Sequence, residues 1–123
     1  MMQIINIGID IEEVARIARL KKAALARVFT ETELAYSLPK KNAAQHLAAR
    51  FAAKEAIFKA LPFDGVALKK IEIVKDKTGK PLAILHDARA KDIGLKISLS
   101  HTRKYAAAFA VSYRICRLKK CKK

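Results

Sequence analysis

The sequence predicts an α+β fold: one small domain in which an antiparallel sheet packs on one long helix and several shorter ones. Three observations predict it. Asn42 to Leu61 is a run of strong helix formers stopped by Pro62. Two pairs of short apolar runs flank turn residues, as hairpins do. A chain of 123 residues, 52% hydrophobic, without a Gly/Ser-rich linker or an internal repeat, suits a single core.

The elements follow in order. Ile4 to Ile11, IINIGIDI, is β-branched and nearly continuous, which predicts a buried strand, with Gly8 marking a bulge or a close approach of another backbone. Val14, Ile17, Ala18 and Leu25 then fall at helical spacing, with Arg16, Arg19, Lys21 and Lys22 on the other face. Thr30 followed by Glu33 is a capping box that opens another short helix. On the long helix, at about 100° per residue, Leu47, Phe51, Phe58 and Leu61 form one apolar stripe. Glu55 and Lys59 lie along one edge of it, and Arg50 and Lys54 flank the other. These charges either rim a site that the helix helps to wall or make a solvated face beside the core. Ile71 to Val74 and Leu82 to Leu85 form a hairpin around Lys77-Thr78-Gly79-Lys80-Pro81. Asp87 to Asp92 gives one or two helical turns ending at Gly94. Leu95 to Leu99 and Tyr105 to Tyr113 form a second strand pair, joined through Ser100-His101-Thr102-Arg103.

The net charge of +15 calls for an acidic partner, whether nucleic acid, an anionic membrane surface, an acidic protein or a phosphate-bearing ligand. Arg114, Arg117, Lys119, Lys120, Lys122 and Lys123 supply six of those charges, and the body still keeps +9 without them. The chain therefore divides into a domain, residues 1–113, and a basic C-terminal tail, residues 114–123, which is either a frayed, solvated end or a contact for a partner or RNA. Cys116 and Cys121 lie in that tail with no histidine near them, which argues against a zinc site and for reduced thiols. MMQIINIGIDIEE lacks the pattern of a secretory signal, and charges break every later apolar stretch before about 18 residues. A cytoplasmic protein without membrane contact is expected.

Three places carry chemistry. Asp10 ends an apolar run, where a carboxylate is costly to bury unless it is paired or bound to a cation. Should Asp10 meet Glu55, Mg²⁺ would relieve their repulsion, since it favours one or two protein carboxylates with water and phosphate oxygens. A helix-capping role for Asp10 or Glu13 is the alternative. Lys59, Arg50 and Lys54 would offset a pyrophosphate, and a lysine near the breaking bond would steady or protonate the leaving phosphate. His101, among Ser98, Ser100 and Thr102, sits at a strand end that can cradle phosphate or serve a local structural bond. Neither G-x-G-x-x-G nor G-x-x-x-x-G-K-[ST] occurs, and no Ser/His/Asp order stands out; His46 and His86 have no obvious partners.

Three segments then act together: GIDIEEVARI from Gly8, RFAAKEAIFKA from Arg50, and Ser98-Leu99-Ser100-His101-Thr102 with Tyr105-Ala106-Ala107-Ala108. In this order they closely resemble the holo-acyl-carrier-protein synthases, the small trimeric class of phosphopantetheinyl transferase. The likeness runs to about Tyr113, and Thr78-Gly79-Lys80-Pro81 looks like that family's hairpin turn. The resemblance implies a phosphopantetheinyl-transferase-like fold. It also implies transfer of the 4′-phosphopantetheine arm of coenzyme A to a serine of apo acyl carrier protein for fatty acid biosynthesis, leaving adenosine 3′,5′-bisphosphate. By the same resemblance Asp10 and Glu55 would hold Mg²⁺ and Lys59 would act at the pyrophosphate. Arg50, Lys54, His101 and Thr102 would hold the nucleotide, and Arg16 would face the acidic carrier protein. A homotrimer with active sites at the subunit interfaces is implied as well. Leu61-Pro62-Phe63-Asp64-Gly65 departs from the family's Gly-Thr-Gly-like turn, and the segment between Arg16 and Thr30 is short for the family. A small basic RNA-binding protein of ribosomal type is the rival reading. Its strands, however, lack interleaved aromatics, so nucleic acid is not the expected partner. A catalytically dead scaffold for carrier protein is a third, opposed by the presence of Asp10, Glu55 and Lys59.

Overall fold

The computed structural model describes residues 2–115. Strand β1 (Met2–Glu13) runs directly into helix α1 (Val14–Ala18), followed by α2 (Lys22–Val28), α3 (Glu31–Ser37) and the long α4 (Ala43–Ala60). After a 3₁₀ turn at Leu68–Lys70 come β2 (Ile71–Lys75), β3 (Pro81–Leu85), a second 3₁₀ turn at Ala88–Ala90, β4 (Ile93–His101) and β5 (Tyr105–Ile115). The strands form a three-stranded antiparallel sheet in the order β1-β5-β4 and a separate β2-β3 hairpin. Thus the expected antiparallel architecture is present, with the strands divided between two sheets.

Local chemistry explains the boundaries. Thr30 accepts the Glu33 N–H while Glu33 reaches back to the Thr30 N–H, the capping box that the sequence predicts. Pro62 forces Leu61 into extended backbone and ends α4. The β2-β3 turn is held by Asp76, whose Oδ1 accepts from the Thr78 and Lys80 N–H groups, and by Gly79 at φ +87°. The single helical stretch expected after the first strand is two helices, α1 and α2, with Lys21 extended at the break. Strand β5 continues through Ile115, so Arg114 and Ile115, assigned by sequence to the tail, are strand residues. Residues 116–123, with Cys116 and Cys121, lie outside the described residues.

Helix α4 is the centre of the core, buried round most of its circumference by alanines (Ala48, Ala49, Ala52, Ala53, Ala56, Ala60) and by Leu47, Phe51 and Ile57. It is not the striped helix the sequence suggests: Phe58 is 39% exposed, because the neighbours that crowd α4 come close only over small side chains. The inner face of β5 answers with Ala106, Ala108 and Ala110.

The first strand also differs from expectation. Its bulge falls between Ile4 and Asn6, while Gly8 serves the close approach. Only its inner face is covered; Ile4, Ile7, Ile9 and Ile11 are each about 60% exposed or more. Strand β1 lies at the sheet edge, and nothing within the described residues covers that outer face.

Candidate active site

Strand alternation turns Gly8, Asp10 and Glu12 toward α4. At Gly8 a Cβ would lie 2.0 Å from the Ala56 carbonyl oxygen, so only glycine lets the strand backbone rest on the helix there. That contact brings Asp10 to Lys59 and into the electrostatic field of Glu55. Lys59 Nζ donates to the Ile9 carbonyl at 3.0 Å and stands 3.5 Å from Asp10 Oδ1. Glu12, almost fully buried, accepts from Arg16 Nη1 at 3.0 Å.

The cluster carries more negative charge than its own cations neutralise. Burial, followed by the Asp10 charge, pushes the Glu55 carboxyl up. Burial, followed by hydrogen bonding and charge from Asp10, pushes Glu12 up to about 7. Asp10 Oδ2 is buried without a hydrogen-bond partner. Hard oxygen donors, mutual repulsion and an orphaned carboxylate oxygen fit a divalent cation held by two carboxylates. Among the described residues no group of three or more His, Cys, Asp or Glu side chains is arranged to hold a metal.

On the other side of α4 a cavity of about 610 Å³ opens between β3 and β4, two strands that do not pair with each other. Arg50, His46, His101, Lys75, Lys80 and Lys96 line it, with Leu95, Ile97 and Leu99 among its apolar walls. Arg50 is only 4% exposed; its Nη1 donates to the His46 carbonyl at 3.4 Å, and its Nε has no partner. Burial draws its guanidinium below the usual value. The guanidinium stacks on Tyr36 at 4.5 Å, and Lys40 and Lys75 stand 4.3 and 5.4 Å from the same ring. Lys75 bonds the Tyr36 phenol and holds it below its ordinary value. His101 Nδ1 meets Gln45 Oε1 at 3.1 Å. A cavity so rich in cations suits a phosphorylated ligand with an apolar portion.

The sequence-selected residues therefore separate. Asp10, Glu55, Lys59 and Arg16 gather at the junction of β1 with α4; Arg50 and His101 line the cavity. Thr102 instead shapes the β4-β5 turn, its Oγ1 accepting from the Lys104 and Tyr105 N–H groups. Lys54 is not at either place. It is 0% exposed, its Nζ lies 2.8 Å from Glu33 and donates to the Leu68 and Ile71 carbonyls, so its charge is spent inside the core. The histidines without obvious partners have them: His46 packs on Tyr36 and His101, and His86 bonds Glu72. Sequence reasoning also passed over Glu12, Tyr36, Lys75, Lys80 and Lys96. Alternation along β1 could have found Glu12, which shares the parity of Asp10; the others depend on how the hairpin folds over α4.

A profile of the 4′-phosphopantetheinyl transferase superfamily matches residues 6–110. The holo-[acyl-carrier-protein] synthase of Moorella thermoacetica is 45% identical over 118 residues, covering 85% of this chain and 90% of the relative. That of Protochlamydia amoebophila is 44% identical, covering 87% and 96%. The crystal structure of a holo-(acyl-carrier-protein) synthase from Bacillus anthracis, in complex with CoA (3′,5′-ADP), is similar at a TM-score of 0.81 and 33% identity, covering 91% of this chain and 98% of that one. The RNA-binding reading finds no support among these relatives. No helix among the described residues is long and apolar enough to cross a membrane. By profile and by relatives matched over nearly their full length, the chain belongs to the 4′-phosphopantetheinyl transferase superfamily, among the holo-acyl-carrier-protein synthases.

Proposed function

We propose that the chain transfers the 4′-phosphopantetheine group of coenzyme A to a serine of apo acyl carrier protein in the cytoplasm, at the Asp10–Glu55–Lys59 site. The observation that carries the site is the surplus of buried carboxylate: Asp10 Oδ2 unpartnered, with Glu55 and Glu12 crowded against Asp10. Asp10 and Glu55 are the residues that would hold Mg²⁺, which when bound supplies charge neutralisation for a pyrophosphate.

The remaining work falls to the chain. The serine oxygen attacks the phosphorus that bears the pantetheine, and the bond to adenosine 3′,5′-bisphosphate breaks. Lys59, tethered at the Ile9 carbonyl and half exposed, presents its ammonium to the phosphate oxygen that takes up the charge. A water held by the carboxylates relays the serine proton to one of them. Arg50 and His101, with Lys75 and Lys80 beside them, hold the nucleotide end in the cavity. Arg16, 62% exposed on α1, faces the acidic carrier protein, whose approach the basic body accelerates.

The outer face of β1 supports the homotrimer. Ile7, Ile9 and Ile11 together with Phe109 of β5 form an apolar patch of a kind that monomers rarely expose, and other copies of the chain cover it in this reading. Replacing Ile9 by lysine is expected to yield monomers in sedimentation analysis and to abolish transfer. A variant that still sediments as a trimer places the interface elsewhere.

Intact-mass spectrometry tests the activity. Apo acyl carrier protein incubated with the chain, coenzyme A and Mg²⁺ gains a phosphopantetheine, and the gain disappears with chelator or with Glu55→Ala. A gain that persists in chelator overturns the metal assignment. No gain with several carrier proteins from a folded sample overturns the transfer itself.

A further inference from the structure

Glu12 has no part in the reaction as described, yet its surroundings are unusually well defined for an acidic residue on an edge strand. It shares the inner face of β1 with Asp10, is 8% exposed, and ends in an ion pair with an arginine that is 62% exposed. The pair spans the junction at which β1 turns into α1 without a break, since Glu13 is the last strand residue and Val14 the first helical one. A backbone bond from the Val14 N–H to the Lys104 carbonyl, at 2.8 Å, fixes the same junction to the β4-β5 turn. The Glu13 side chain makes no capping bond there.

An ordinary surface pair at this spacing contributes little, because two long side chains must both be ordered to make it. Here one partner is already held by burial, so only Arg16 has freedom left to lose. The Arg16 guanidinium is thereby kept within the field of Glu55 as well as that of Glu12, directly beside the carboxylate cluster. Glu12 accepts from Nη1, and a guanidinium carries five N–H donors in a fixed fork, so Arg16 retains donors for a carboxylate that arrives from solvent.

We propose that Glu12 is a positioning residue: it holds Arg16 at the rim of the Asp10–Glu55–Lys59 site, so that the side chain meeting an acidic surface of the carrier protein is registered against the groups that act on its serine. The inference rests on the reading of Arg16 as the carrier-facing residue. It assigns Glu12 neither to the metal nor to the nucleotide, and this separates it from Asp10 two residues earlier.

The test compares Glu12→Ala, Glu12→Gln, Arg16→Ala, Arg16→Lys and the double Ala variant. Affinity for labelled apo acyl carrier protein is read by fluorescence anisotropy in chelator without coenzyme A, and KM is measured for each substrate. Glu12→Ala is expected to weaken carrier binding and raise the carrier KM by roughly fivefold, the scale of one well-placed ion pair. The coenzyme A KM should stay within about twofold. Glu12→Gln, which keeps an oxygen acceptor for the guanidinium, should recover most of the loss. The double variant should bind no worse than Arg16→Ala alone, because the two residues act as one unit. Arg16→Lys, at an exposed position that does not endanger folding, should lose carrier affinity nearly as Arg16→Ala does.

The proposal is overturned if Arg16→Ala weakens carrier binding and Glu12→Ala does not. It is equally overturned if Glu12→Ala raises the coenzyme A KM or the Mg²⁺ requirement instead, or if Arg16→Lys binds carrier as the unaltered chain does. Should Arg16→Ala leave carrier affinity unchanged, the docking role of Arg16 falls first and this inference falls with it. That result is distinct from every one in which only Glu12 fails.

Discussion

Lys54 and Lys59 stand on the same helix, each beside a carboxylate from another element, and they could hardly be used more differently. Lys54 meets Glu33 at 2.8 Å with neither side chain exposed, whereas Lys59 stands 3.5 Å from Asp10 and is 53% exposed. Around Glu33 every oxygen is engaged: Oε1 takes the Thr30 N–H and Lys54, and Oε2 takes the Ile73 N–H at 2.7 Å. Lys54 spends its other donors on the carbonyls of Leu68 and Ile71. Around Asp10 one carboxylate oxygen is left over, and two further carboxylates crowd it. A saturated ion pair joins α3, α4 and β2 and has nothing left to offer a ligand; an unsaturated one has affinity to spare.

The sharpest way to break the comparison is to remove one member of the buried pair. Lys54→Met leaves the Glu33 carboxylate buried without its counter-charge, and the loss is expected to be about 3–5 kcal/mol in denaturant unfolding. The double replacement Glu33→Leu with Lys54→Met removes both charges and should recover part of that loss. A single variant as stable as the parent would show that the pair is not the knot described.

Next in size is the open pair. Glu55→Ala should lower phosphopantetheine transfer by about a hundredfold to a thousandfold, the usual cost of losing a charged group that acts on a transition state. Its melting temperature should hold or rise, since burial and the Asp10 charge both work against ionised Glu55 in the folded chain. The two replacements thus fall on different observables, stability for residue 54 and turnover for residue 55, although the positions are adjacent.

That split also shows what the sequence could and could not disclose. Local signals carried the element boundaries: Thr30 with Glu33, Pro62 after α4, and the Asp76–Gly79 turn all act within a few residues of where they are written. They did not disclose that the capping Glu33 also neutralises Lys54, because the partner lies twenty-one residues on and meets it only once α3 packs on α4. Phe58 was misplaced for a related reason. Periodicity weights large side chains, while the contacts between α4, β1 and β5 are set by alanines and Gly8, where two backbones approach. Residue type and resemblance singled out Asp10, Glu55 and Lys59, and the fold brings Lys59 to Asp10. Glu12 was hidden because an acid beside an acid reads as surface. The outer isoleucines of β1 read as core because a β-branched run does not say which of its faces is covered, and no described residue covers this one.

The smallest expected effect sharpens the comparison through pH, using one crowded carboxyl and one well-bonded one. Glu12 is raised from 4.5 to about 7, so between these values the folded chain keeps a proton that the unfolded chain releases. Its contribution is therefore complete below about pH 4.5 and is lost as pH rises through about 7, by roughly 1–3 kcal/mol. Glu12→Gln, measured by unfolding without metal across that range, should remove the decline. Glu72 runs the other way: hydrogen bonds from His86 and Thr30 hold its carboxyl below the ordinary value, so its contribution is present above that value and disappears as acid protonates it. For a partly exposed pair the effect should stay under about 1 kcal/mol. Glu72→Gln should accordingly trim the acid-side loss and leave the alkaline limb untouched. If both variants instead track the parent at every pH, neither carboxyl is held as described, and the surplus negative charge that makes the Asp10 site receptive to a cation loses its support.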